Sequence, residues 1–243
     1  MTAWHVFSTM GTVVSIHADA PIARHVLREV EGVFAAFDRR FSLYRPDSEI
    51  SRIADGRLAL LAAGAELRNV YELALGWRSA THGAFTPHRP DGVVDLSGVV
   101  KALAIRDAGT ALDHAGATTW SIGCGGDILT RLSDGAEQTI GIADPADRRR
   151  LLTAVAISAP HRAIATSGVS ERGEHVWGPR PDFDQVTVLA ADIVTADVLA
   201  TAILAGGQET CDEVTATMPV DVLCVRRDGE VVGTPGARLA LPA

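Results

Sequence analysis

Val194-Thr195-Ala196-Asp197-Val198-Leu199-Ala200-Thr201-Ala202 reads as the opening of a helix with two hard-oxygen groups, Asp197 and Thr201, four residues apart. Positions i and i+4 share a helix face, so the carboxylate and the hydroxyl point at one spot. A hard cation suits that spot. Mg2+ in particular takes oxygen ligands, keeps some of its waters and completes its shell with substrate phosphates. The same residues also have a purely local reading, in which Thr195 caps the helix, Asp197 complements the helix dipole and Thr201 faces the core.

Outward from this stretch, the spacing predicts four helices. They run over Pro21 to Phe37, with Val26, Val30, Phe34 and Phe37 on one face; over Ala65 to Ala80; from about Lys101 to His114; and from Asp197 to about Leu204. Short strands fall between them. His5 to Ala18 alternates around Met10-Gly11-Thr12, as two short strands or one strand broken by a glycine bend, and further strands are predicted at Thr118 to Ile122, Gln138 to Ile142, Leu152 to Ser158, Arg162 to Thr166 and Val186 to Leu189. Val220 to Val232 reads as a hairpin turning at Asp228-Gly229. Hairpins at both ends and irregular alternation point to an α+β fold, with mixed and antiparallel sheets flanked by about four helices, rather than regular βαβ winding. No linker long enough to separate domains is found, so residues 1–243 are expected to form a single domain.

The chain has 243 residues, 47% hydrophobic and 21% charged, and a formal net charge of −8. That charge argues against binding nucleic acid through bulk electrostatics, so a bound phosphate must be held locally. Cys124, Cys211 and Cys224 lack zinc-like spacing and are odd in number, which reads as reduced thiols in a reducing compartment. There is no basic, apolar leader, no lipidation cysteine and no run of about 18 apolar residues. A cytoplasmic location without membrane insertion is expected, as monomer or homodimer.

Three further stretches could carry chemistry. In Phe41-Ser-Leu-Tyr44-Arg-Pro46-Asp47-Ser48-Glu49-Ile50-Ser51-Arg52, a turn leads into a helix start that Asp47 or Ser48 can cap, with Glu49 in the first turn. In Asp95-Leu96-Ser97-Gly98-Val99-Val100-Lys101, the lysine lies one turn inside a helix, where free N–H groups and the dipole already favour an anion. A solvated surface lysine is the plain alternative. Gly123-Cys124-Gly125-Gly126-Asp127 follows a strand, either as a tight hairpin turn or as backbone lying close to a ligand, with Asp127 able to accept hydrogen bonds from a ribose or base. It has neither the Walker nor the dinucleotide spacing.

In their order along the chain, these stretches resemble the ApbE-type FAD:protein FMN transferases. The resemblance runs from Met10-Gly11-Thr12 through Tyr44 to Ser51, Asp95 to Lys101, Gly125-Gly126-Asp127 and Ala165-Thr166-Ser167-Gly168 to Ala196 to Ala202, covering about residues 6 to 207. It implies an ApbE-like, T-fold-related architecture, with two intertwined lobes possible and the FAD site between them. It also implies an enzyme that binds FAD with Mg2+, transfers FMN to a threonine or serine of an acceptor flavoprotein in a Ser-Gly-Ala-Thr-like segment, and releases AMP. By resemblance Asp197, Thr201 and the backbone at Val100 are metal ligands. Lys101 and His175 are catalytic, with His175 the base. Met10, Tyr44, Ser48, Glu49, Asp95, Gly125, Gly126, Asp127, Thr166 and Ser167 surround the flavin nucleotide.

The chain departs from the family pattern at four places. Gly-x-Phe-Asp-Pro-Thr reads Gly83-Ala-Phe85-Thr86-Pro87-His88, the glycine after the lysine is Ala102, and the acid three residues after His175 is Gly178. If that acid orients the imidazole, its loss lowers the rate and leaves FAD binding intact. The rival expectations are therefore a weak or inactive FAD-binding relative and a Mg2+-dependent FAD pyrophosphatase that yields FMN and AMP.

Overall fold

The computed structural model describes residues 3–168 and 182–239. Contacts gather the chain into two compact units, Met1–Gly125 and Gly126–Ala243. The first unit opens with β1 (Ala3–Thr9) and β2 (Thr12–Ala18), an antiparallel hairpin in which Thr9 faces Thr12. Met10 and Gly11 both hold positive φ, 48° and 68°, the pair that a two-residue primed turn requires. Then come α1 (Arg24–Phe41), α2 (Glu49–Ala54), a 3-10 turn at Leu60–Ala62, α3 (Ala65–Ala80), α4 (Ser97–His114) and β3 (Trp120–Cys124), which pairs antiparallel with β2. Cross-strand partners Val14 and Cys124, Ile16 and Ile122, and Ala18 and Trp120 make one buried face. Trp120 Nε1 donates to Asp113 Oδ1 of α4 at 2.9 Å, so that face meets the helices. α1 presents Val26, Val30, Phe34, Phe37 and Phe41 to α4, at the spacing that makes a helix amphipathic.

The second unit contains β4 (Asp127–Arg131), β5 (Gln138–Ala143), β6 (Leu151–Ile157), β7 (Ala163–Gly168), β8 (Phe183–Ala190), α5 (Ile193–Thr217), β9 (Asp221–Arg226), β10 (Val231–Gly233) and α6 (Pro235–Leu239). β4, β7, β8, β9 and β10 neighbour one another in that order, all antiparallel. β5 and β6 form a separate two-stranded ribbon. Ile140, Ile142, Val155 and Ile157 of the ribbon join Ile164, Leu189 and Leu223 of the sheet in one apolar cluster. α5 packs on β7 and β8. From Ile193 to Ala205 that helix is buried nearly all round, which explains its largely apolar sequence. It breaks at Gly207, whose φ of 73° ends one helical piece and starts another.

The α+β reading agrees with this architecture and each expected strand is present with shifted ends, but β4 was not expected, because only the glycine turn before it was legible. Six helices are present among the described residues instead of about four, because α2 and α6 are too short to show a helical period. α1 starts three residues later than expected and runs to Phe41, since Phe41 continues the buried stripe. No helix among the described residues is long and apolar enough to cross a membrane.

Candidate functional site

α5 is capped by Asp192, whose Oδ1 accepts from the amides of Val194 (2.9 Å) and Thr195 (3.1 Å). The hydroxyl of Thr195 donates to the other carboxylate oxygen. Thr195 is thus not the cap: a neighbouring carboxylate already serves the first free amides and its hydroxyl too. Asp197 consequently lies beyond the first turn, where neither capping nor the dipole accounts for it. It is 4% exposed and is the only ionisable residue between Ile193 and Gly207. One turn on, Thr201 Oγ1 lies 3.2 Å from Ser167 Oγ of β7. A carboxylate and two hydroxyls therefore sit between α5 and the sheet, and the donor set is hard oxygen throughout.

Strand alternation sorts the neighbouring candidates. Ser167 opposes Val186, and both point toward α5. Thr166, one residue earlier, points to the opposite face and is hydrogen-bonded to Thr187 across the β7–β8 pair at 2.9 Å. Only Ser167 of this dipeptide reaches Thr201. Asp127 begins β4 and is fully buried. Continuing the register Leu129–Ala163 and Ile128–Ile164 by one residue sets it opposite Ala165, on the α5 face. Gly125 and Gly126, just before it, both hold positive φ (57° and 94°), so the glycine pair is a backbone requirement of the tight turn.

In the first unit, the start of α4 carries Asp95, Val100 and Lys101. Asp95 Oδ1 accepts from the Ser97 amide at 2.9 Å and so satisfies one of the free N–H groups of the helix. Val100 is buried and Lys101 half-buried. Gly98 is dictated by packing, because a Cβ there would lie 2.8 Å from Cε2 of the buried Phe85 ring. Ala102, where the family pattern has glycine, is fully buried within α4.

Thr86 and His88 are both taken up locally. Thr86 Oγ1 accepts from the His88 amide at 3.2 Å, the turn bond a carboxylate would otherwise make, and His88 Nε2 lies 2.9 Å from Tyr71 Oη. Ser48 caps α2 by accepting from the Ser51 amide at 3.0 Å, and its own hydroxyl donates to the Ser42 carbonyl at 2.7 Å. The Glu49 carboxylate accepts from the Gly64 amide and pairs with Arg40 at 3.3 Å. Tyr44, by contrast, is 85% exposed, and Met10 occupies the β1–β2 turn.

His175 and Gly178 lie outside the described residues. Asp182 is described. Its Oδ2 accepts from the Gln208 amide at 2.8 Å and caps the second piece of α5 after the Gly207 break. Sequence reading passed over Asp192 and Asp182 as caps. Asp192 had a legible signal, an acid immediately before an apolar helical run, whereas Asp182 caps across 26 residues and had none.

Comparison with known proteins gives concordant results. The model of the ApbE family matches residues 10–89 and 86–224. No curated protein matches the chain significantly. An ApbE protein of Thermotoga maritima superposes with a TM-score of 0.85 at 18% identity, over 100% of both chains. The flavin transferase ApbE of Vibrio cholerae gives 0.79 at 22% identity, over 99% of each chain. The flavinyl transferase ApbE of Pseudomonas stutzeri, in its apo form, gives 0.77 at 17% identity, over 100% of this chain and 98% of its own. At these identities the structures establish a shared fold, and with the family model spanning most of its length, the chain belongs to the ApbE family.

Proposed function

We propose that the chain, acting as a single domain, is a Mg2+-dependent FAD:protein FMN transferase. The observation that carries this reading is the setting of Asp197: a buried carboxylate beyond the capping turn, with Thr201 one turn on and Ser167 touching Thr201. Among the described residues no group of three His, Cys, Asp or Glu side chains could cage a metal. A carboxylate with hydroxyls fits instead a hard cation that completes its shell with phosphate oxygens, as Mg2+ does. When bound, such a cation supplies positive charge to the pyrophosphate oxygens.

The chain's own groups have distinct tasks in this reading. Asp197 and Thr201 would hold the cation, and Ser167 would fix the Thr201 hydroxyl by the hydrogen bond it shares with it. By the family resemblance, Val100 would offer a backbone carbonyl to the cation. Lys101 adds a second positive charge against the phosphates, near helix amides that already favour an anion. His175 takes the proton from the acceptor hydroxyl as its oxygen attacks the FMN phosphorus, because imidazole titrates near working pH. The bond between that phosphorus and the bridging oxygen breaks, a phosphoester to the acceptor forms, and AMP leaves. The names of the Vibrio and Pseudomonas structures support flavin as the substrate class.

The test is incubation of the purified chain with FAD and Mg2+, with and without a Ser-Gly-Ala-Thr acceptor peptide, reading AMP and peptide mass. Expected is AMP together with a peptide heavier by one FMN, both abolished by Asp197→Ala. AMP with an unmodified peptide would make the chain an FAD pyrophosphatase. FAD binding with no AMP would make it a flavin-binding relative in which the change at Gly178 has removed turnover.

A further inference from the structure

Two thiols that the proposed reaction does not use face each other in the second unit. Cys224 is in the middle of β9 opposite Val186, on the sheet face that α5 covers. Cys211 lies in the second piece of α5, three residues after Gln208. The Cys211 and Cys224 side chains are close enough for each thiol to shift the other's titration. A second tie runs beside this one: Arg226 Nη2, two residues along β9, donates to Gln208 Oε1 at 3.2 Å. Spacing of i, i+3 on a helix and i, i+2 on a strand keeps residues on one face, so the two ties are successive rungs between the same two surfaces. Cys211 is 9% exposed and Cys224 1%.

We propose that Cys211 and Cys224 are a hydroperoxide-responsive dithiol that closes to a disulfide and pins the second piece of α5 to β9. Their environments assign the order of events. The hydrogen bond from Cys224 holds the Cys211 thiol below its usual range, while the same bond and burial push Cys224 up. The thiolate therefore forms first at Cys211, the more exposed of the two, and the thiolate is the nucleophile. Its Sγ attacks one oxygen of the hydroperoxide and the O–O bond breaks. The departing oxygen leaves as water or an alcohol after taking a proton, and Cys211 becomes a sulfenic acid. Cys224 then gives up its proton and attacks Cys211 Sγ, so that the S–S bond forms and the hydroxyl leaves as water. In sum, two thiols lose two electrons and two protons and one hydroperoxide is reduced. Gly207 separates this clamp from Thr201, so closure grips only the second piece of the helix.

The experiment treats the folded full-length chain with hydrogen peroxide, stops with catalase, alkylates in denaturant with N-ethylmaleimide, and reads mass and disulfide-linked peptides. Expected is that two of the three cysteines escape alkylation. The link should join Cys211 to Cys224 and reverse with dithiothreitol. The unfolding temperature of the linked chain should rise by about 5–10 °C, as for a cross-link closing a short loop. A Cys224→Ser chain, which keeps a hydrogen-bond donor beside Cys211 but no second thiol, should instead stop at a dimedone-trapped sulfenic acid on Cys211. Three alkylated cysteines, a link involving Cys124, over-oxidised Cys211 beside a reduced Cys224, a lower unfolding temperature of the linked chain, or no dimedone adduct in Cys224→Ser would each overturn the proposal.

Discussion

Gly98→Ala is a sharp test of how α4 is seated. An alanine inside a helix normally gains about 1 kcal/mol over glycine. Here its Cβ would stand 2.8 Å from Phe85 Cε2, short of the roughly 3.5–4 Å at which carbon atoms pack. One partner must move by ~0.7 Å or more. The ring is only 4% exposed and cannot swing into solvent, so relief must come from α4 or the surrounding core, at about 1–3 kcal/mol. Subtracting the helix gain leaves a net loss of about 1 kcal/mol, and a fall in Tm of about 2–4 °C for a chain of this size. Phe85→Leu removes the ring edge and should suppress the clash. In a double-mutant cycle by urea unfolding, the combined Gly98→Ala and Phe85→Leu chain should be more stable than the sum of the singles predicts, by about 1 kcal/mol or more. A Gly98→Ala chain that gains stability, or a cycle additive to within ~0.3 kcal/mol, would refute the argument.

Asp192→Ala strips acceptors from the Val194 and Thr195 amides and should cost about 1 kcal/mol in chemical denaturation, with Asp192→Asn keeping most of it. Because Ser167 and Thr166 lie on opposite faces of β7, Ser167→Ala should reduce Mg2+-dependent AMP release, whereas Thr166→Val should affect stability and leave AMP release near wild type; the reverse pattern would show the faces misassigned. Cys211, held low mainly by the hydrogen bond from Cys224, should be alkylated by iodoacetamide at lower pH than an ordinary thiol. As a lowered pKa means the thiolate appears earlier on raising pH, Cys224→Ala should move the alkylation profile of Cys211 to higher pH, and an unmoved profile would count against the contact.

Much of the fold was legible because its signals are local. The stripe Val26, Val30, Phe34 and Phe37 announces α1, and Met10-Gly11 announces the β1–β2 turn, since only nearest neighbours in the chain decide either. The second piece of α5 was not legible. Its start depends on Gly207 taking positive φ and on Asp182 reaching the Gln208 amide from 26 residues away. Nor could Asp47 and Ser48 be told apart as the cap of α2 by type alone: Ser48 takes it, while Glu49 accepts from Gly64 and pairs with Arg40 and the Tyr44 ring stands in solvent.

For the candidate site, the sequence by itself determined that Asp197 and Thr201 share a helix face, because the helical period guarantees it over four residues. It also determined the glycine pair before Asp127, because two successive positive φ angles admit few other residues. Tertiary structure alone decided that Asp192 rather than Thr195 caps α5, leaving Asp197 buried without a capping role. Pairing register and the seat of α5 likewise chose Ser167 over Thr166 as the neighbour of Thr201. Adjacent residues of a strand point to opposite faces, and which face receives the helix is a property of packing between segments far apart in the chain, which no local pattern encodes.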